Sequence, residues 1–163
     1  QITGGVAVEL TAEARAALDE GRNALASQDY PTAINAFKRA RAAQDHGLLA
    51  FYEALALQQS GDARAALAGY QRALQDFPNN DIILNNLGYA QALTGRYDLA
   101  IPTLNSALAA NPNNASIYLN LGLIYYNISR FSDAVVAWEK ALSIDPNLGT
   151  QVTTLLEDAR SKQ

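Results

Sequence analysis

Apolar residues recur along most of the chain at helical spacing. Tyr118, Leu121, Gly122 and Tyr125 fall at i, i+3, i+4 and i+7, which is one stripe of a helix. After a polar break at Asn127–Arg130, Ala134, Trp138, Ala141 and Leu142 form a second stripe. Pro146 closes the pair, because proline cannot continue a helix and restrains the residue before it. Leu84, Leu87 and Gly88, a turn at Gly95, then Ala100, Leu104, Ala107 and Leu108 draw the same figure earlier in the chain. Pro31 stands where another second helix should begin, and there its missing N–H costs nothing. Pro102 lies one turn inside its helix and is expected to be tolerated near that N-terminus.

The figure has a fixed period. Pro78, Pro112 and Pro146 are 34 residues apart, as are Asn86-Leu87-Gly88 and Asn120-Leu121-Gly122. Ala66, Ala100 and Ala134 keep the interval, and so do Tyr70, Leu104 and Trp138, and Ala73, Ala107 and Ala141. Ala33, Phe37 and Ala40 match at 33, one residue short. An ordinary helical bundle has no reason to repeat in this way, whereas a stack of identical helix pairs does. Gly21, Gly88 and Gly122, with Ala54 in the matching place, let each first helix approach its partner closely. The column Phe37, Tyr70, Leu104 and Trp138 fills the space between them.

Read from Leu121 to Pro146, the pattern Leu-Gly-x-x-Tyr-x-x-x-x-x-Phe-x-x-Ala-x-x-x-Trp-x-x-Ala-Leu-x-x-x-Pro resembles the tetratricopeptide repeat. The third unit departs from it at Gln91 and Leu104, and the second at Ala54 and Ala63. The first is weakest, with Glu20 and Asp45 in place of the usual leucine and proline. The resemblance implies an all-α fold, a right-handed α-solenoid of four helix-turn-helix repeats over residues 11–148, at about 13–46, 47–80, 81–114 and 115–148. Residues 149–163, with Val152, Leu155, Leu156 and Ala159, are expected to form a C-terminal capping helix, since an end repeat otherwise exposes an apolar face. Residues 1–10 read as a flexible lead-in.

The resemblance also implies a concave groove lined by the first helix of each pair. Once core positions are removed, the remaining stripe is Ile82, Asn86, Tyr89 and Leu93 in the third unit, and Ser116, Asn120, Leu123 and Asn127 in the fourth. The second unit adds Leu48, Tyr52, Leu55 and Gln59, and the first Arg15, Asp19, Arg22 and Ala26. Asn86 and Asn120 carry the sharpest signal, because an amide offers both a donor and an acceptor to the main chain of an extended peptide. Peptide-binding members of the family place asparagines at this point. Asn85 is expected to point to a neighbouring part of the surface. No lysine or arginine occupies the positions three before each glycine (Leu18, Phe51, Asn85 and Leu119), which argues against a C-terminal acidic motif as ligand.

Composition narrows the classes that remain. Net charge is −4, with 12 Lys and Arg against 16 Asp and Glu, so nothing suggests a basic nucleic-acid arm. Lys38, Arg39 and Arg41 read as a solvated convex face. Cysteine is absent and His46 is the one histidine, which removes thiolate sites, histidine cages and triads. His46 falls in an interhelical turn, where solvation or capping is the expected role. No phosphate loop is present, and the adjacent carboxylates Asp19-Glu20 and Glu157-Asp158 are not paired across a cleft. No enzyme activity, cofactor or metal is expected. No apolar run reaches the roughly 18–20 residues of a membrane span.

The expected function is a protein–protein interaction module that holds an extended or helical segment of a partner protein. The alternative is a scaffold or homodimer that self-associates through its repeat ends. Nine arginines against three lysines, the alanine content and the lack of cysteine suggest a bacterial source. They fit a periplasmic protein or outer-membrane lipoprotein that assists an envelope, secretion or pilus complex, with a cytoplasmic adaptor as the alternative.

Overall fold

The computed structural model describes Ile2 and residues 8–163. The lead-in expected at residues 1–10 lies outside the described residues except for Ile2 and Val8–Leu10. Four helix pairs follow: α1 (Ala12–Ala26) with α2 (Tyr30–Ala43), α3 (Gly47–Gln59) with α4 (Ala63–Asp76), α5 (Asp81–Leu93) with α6 (Tyr97–Ala110), and α7 (Ala115–Asn127) with α8 (Phe131–Ile144). A short 3-10 turn, Pro146–Leu148, leads into α9 (Gly149–Ser161).

Each pair turns by the same device. Gln28, Gly61, Gly95 and Ser129 occupy the left-handed region, with φ of 60°, 97°, 76° and 61°. In every case this residue's N–H donates three residues back and the next N–H donates five back, as in Gly61 to Gln58 and Asp62 to Leu57. Orphan carbonyls at the end of the first helix are thereby satisfied. The residue after the turn opens the second helix. Asp29 and Asp62 cap α2 and α4 through their carboxylates, whereas Arg96 and Arg130 make no side-chain cap. The first helices are capped by Thr11, His46, Asn80 and Asn114.

Phe37, Tyr70, Leu104 and Trp138 are fully buried between the helices of their pairs. Phe37 packs on Gly21, Leu104 on Gly88 and Trp138 on Gly122 so closely that a Cβ on any of these glycines would collide with the side chain opposite. Each first helix also touches the next first helix (α1 to α3, α3 to α5, α5 to α7), while the second helices have no comparable contact among themselves. The first helices therefore form the inner curve of the stack. Pro102 sits inside α6 without interrupting it. At the end, Val152, Leu156 and Ala159 of α9 bury themselves beside Ala134, Val135 and Trp138, closing the apolar face of the last pair.

Candidate protein-binding groove

The inner curve carries the stripe of first-helix residues that core packing leaves over. Tyr52, Leu55, Ile82, Asn86, Tyr89, Asn120 and Leu123 are half-buried, and Gln59, Leu93, Ser116 and Asn127 are exposed. Over the second, third and fourth pairs this stripe has no charged residue. Leu93 at 53% exposure is one of three large apolar side chains left open among the described residues, with Leu99 and Val136. A single exposed apolar side chain is ordinary on a protein surface, and here it adds apolar area to the stripe.

Several stripe residues are also part of the packing. Tyr52 stacks on Phe37 across the first and second pairs, with ring centroids 5.6 Å apart, and meets Phe51 edge-on at 5.5 Å. The Arg22 guanidinium lies 5.9 Å from its ring centroid. Leu55 and Ile82 lean on the core cluster of α3, α4 and α5, and Leu123 on that of α7, α8 and α9.

The asparagines are arranged differently from the ladder that their period suggests. Asn86 Nδ2 turns back to its own helix and donates to the Ile82 carbonyl at 2.7 Å. Asn120 Nδ2 crosses to the neighbouring repeat and donates to Asn85 Oδ1 at 2.9 Å. The bridge between α5 and α7 therefore runs through Asn85, the residue assigned by the sequence to a neighbouring surface. α7 is offset against α5, so Asn120 faces the position just before its own equivalent in the preceding repeat. A strict 34-residue alignment hides that offset. Asn85 Nδ2, Asn86 Oδ1 and Asn120 Oδ1 keep hydrogen-bonding capacity with no partner among the described residues.

Beyond α1, charged groups concentrate on the turns and the outer helices. Asp76 accepts from the Gly47 amide at 2.6 Å and from Arg72 at 2.8 Å, and Arg72 also reaches Asp45 at 3.1 Å. Burial opposes ionisation of Asp76, but the Arg72 guanidinium and the Gly47 N–H outweigh it and hold the carboxyl below its usual range. His46 caps α3 by accepting from Leu48 N–H at 3.1 Å. The basic trio of α2 is not uniformly solvated. Arg39 meets Glu20 at 2.6 Å in the open, but Arg41 is half-buried against Glu53 at 2.7 Å, because Glu53 is itself buried and needs a counter-charge.

A family model for the tetratricopeptide repeat matches residues 51–115 and, overlapping it, residues 94–148. The chain belongs to the tetratricopeptide repeat family. It is thus built as a protein–protein interaction module, a right-handed solenoid of helix pairs. Among solved structures it is similar to residues 41-end of MamA from Desulfovibrio magneticus RS-1, at 21% identity, over 94% of this chain and 93% of that one, with a TM-score of 0.76. MamA from AMB-1 matches at 25% identity over 90% and 86% of the two chains, also with a TM-score of 0.76. YrrB, a tetratricopeptide repeat protein with an unusual peptide-binding site, matches at 25% identity over 82% of this chain and 69% of its own, with a TM-score of 0.74. No curated protein matches the chain by sequence.

Proposed function

We propose that the inner curve of α3, α5 and α7 holds an extended segment of a partner protein. The observation that carries this reading is the amide set at its centre. Asn85 and Asn120 are tied across two repeats while retaining a donor and an acceptor, and Asn86 retains an acceptor. A peptide main chain alternates N–H and C=O groups, and a fixed row of amides is chemically matched to it. Tyr89, Leu123 and the exposed Leu93 supply the apolar contact around that polar centre. The similarity to YrrB, whose described feature is a peptide-binding site, supports the same direction.

Selection of a random peptide library on the immobilised chain tests the proposal. Recovered peptides should lose affinity for the Asn85→Ala/Asn86→Ala/Asn120→Ala variant. Peptides that bind this variant as well as the parent chain would place recognition elsewhere. Self-association as a scaffold is the second reading, and α9 weighs against it, because it covers the apolar face of the fourth pair.

A further inference from the structure

A residue of the N-terminal segment packs back on the second and third helix pairs, beside the turn that opens α5. Ile2 packs on the core cluster that includes Phe51, Ala54, Ile83 and Leu87, against which the groove residues Tyr52, Leu55 and Ile82 and the turn residue Phe77 also pack. Its carbonyl oxygen accepts a hydrogen bond from Asn80 Nδ2 at 2.7 Å, a contact between residues 78 apart in sequence. Asn80 is held for this task. Its Oδ1 caps α5 by accepting from Ile83 N–H at 3.1 Å, and this fixes the amide plane and leaves Nδ2 directed away from the helix. An apolar seat beside a donor for one main-chain carbonyl is how an extended segment is read: the backbone supplies the bond and one side chain supplies the choice.

The turn before α3 handles main chain with the same chemistry. Gln44 Oε1 accepts from Thr11 N–H at 2.8 Å, and Gln44 Nε2 donates to the Glu9 carbonyl at 3.0 Å. Two side-chain amides, on the turns that open α3 and α5, thus hold main-chain groups at two separate points of the N-terminal segment. Neither contact is needed by the helix pairs themselves, whose turns and caps are complete without them.

We propose that the Ile2 seat is a recognition subsite for an aliphatic side chain whose carbonyl faces Asn80, and that the chain's own N-terminal segment fills it in cis. A partner segment of the same chemistry must then displace Ile2 to enter. The inference rests on the groove reading above and adds a regulation to it. The chain is its own competitor, and apparent affinity for a partner falls by the fraction of molecules whose seat is free.

The test uses the full chain and a fluorescent synthetic peptide with the sequence of Gln1–Leu10, followed by anisotropy. Ile2→Asp should bind the peptide about tenfold more tightly than the parent chain, the gain expected when a competitor filling roughly nine-tenths of the seats is removed. Ile2→Ser should act in the same direction. Adding Asn80→Ser, which keeps an oxygen to cap α5 but removes the donor, should abolish that gain. A peptide with aspartate in place of its isoleucine should not bind. Equal affinity for the parent and Ile2→Asp chains overturns the proposal. A parent chain that sediments as a dimer and becomes monomeric in Ile2→Asp overturns it too, by assigning the seat to a second copy. The peptide readout depends on Ile2 and Asn80, so the central asparagines can fail their own test while this result stands, and the reverse.

Discussion

Ala54 and Gly69 meet across the α3–α4 contact with their sizes exchanged relative to the other repeats. Elsewhere the first-helix position is Gly21, Gly88 or Gly122, and the residue opposite in the Gly69 column is Ala36, Thr103 or Ala137. A Cβ on Gly69 would lie 2.8 Å from that of Ala54 and 2.9 Å from the Ala50 carbonyl oxygen. Gly69→Ala gains about 1 kcal/mol of helix propensity but overpacks a backbone contact, at a cost of about 1–3 kcal/mol. The expected net effect is a loss of up to about 2 kcal/mol in urea unfolding. Ala54→Gly in the same chain should recover part of it, since the Ala50 carbonyl still obstructs. A Gly69→Ala chain more stable than its parent would show that the helices separate freely at this point.

The four left-handed turns allow a cleaner comparison. Gly61 and Gly95 use the residue suited to positive φ, while Gln28 and Ser129 adopt the same conformation with a side chain. No atom lies within 4 Å of a Cβ built at Gly61 or Gly95, so the difference between these turns is a backbone cost and not a packing one. Gln28→Gly and Ser129→Gly should each stabilise the chain by about 0.5–1 kcal/mol, and Gly61→Ala should destabilise it by a similar amount. Thermal melts of the three variants decide the matter by sign alone.

How much of this was legible depends on the range of the interaction. The helix pairs, the buried column from Phe37 to Trp138 and the glycines facing it follow from local periodicity and a constant interval, both carried by the chain itself. The Asn85–Asn120 bond does not. It depends on how one helix is offset against the next, which a one-dimensional alignment cannot hold. Arg41 escaped for a related reason, because its burial is set by Glu53, on the following helix. Ile2 gave no signal at all, since an apolar residue in a non-periodic segment has no face to assign.

Tyr70 is buried with its hydroxyl unpaired, and burial pushes that hydroxyl's pKa up. The same column holds Phe37 in the first repeat, so the ring rather than the oxygen fills the space. Tyr70→Phe removes a desolvated polar atom at almost no change in shape. It should leave stability unchanged or raise it by about 1 kcal/mol. A clear loss of stability would mean that the hydroxyl has a bound water as partner.

Asp76 links protonation to the junction of the first two repeats. Its carboxyl is held below the usual range in the folded chain, so the folded state binds this proton more weakly than the unfolded one. The stabilisation is therefore present above the ordinary aspartate pKa of about 4 and is lost as pH falls through the lower folded value. Asp76→Asn should flatten the acid limb of a stability–pH curve below about pH 4 while lowering the plateau near neutrality. An unchanged acid limb would assign acid sensitivity to other carboxylates.

The asparagine bridge separates binding from folding. Asn85 and Asn120 are half-buried, and their bond joins two helices that already pack through Leu84, Ile117 and Leu121. Breaking it leaves both amides within reach of water, so Asn85→Ala or Asn120→Ala should shift stability by no more than about 0.5 kcal/mol. Peptides selected on the parent chain should lose about 0.5–1.5 kcal/mol of binding for each amide contact removed. Asn86→Ala should weaken them less than Asn85→Ala, because the Asn86 donor is already committed to the Ile82 carbonyl. Isothermal titration of the three single variants checks that order. If Asn86→Ala costs the most, the peptide lies along the stripe that the repeat period defines and does not follow the bridge between α5 and α7.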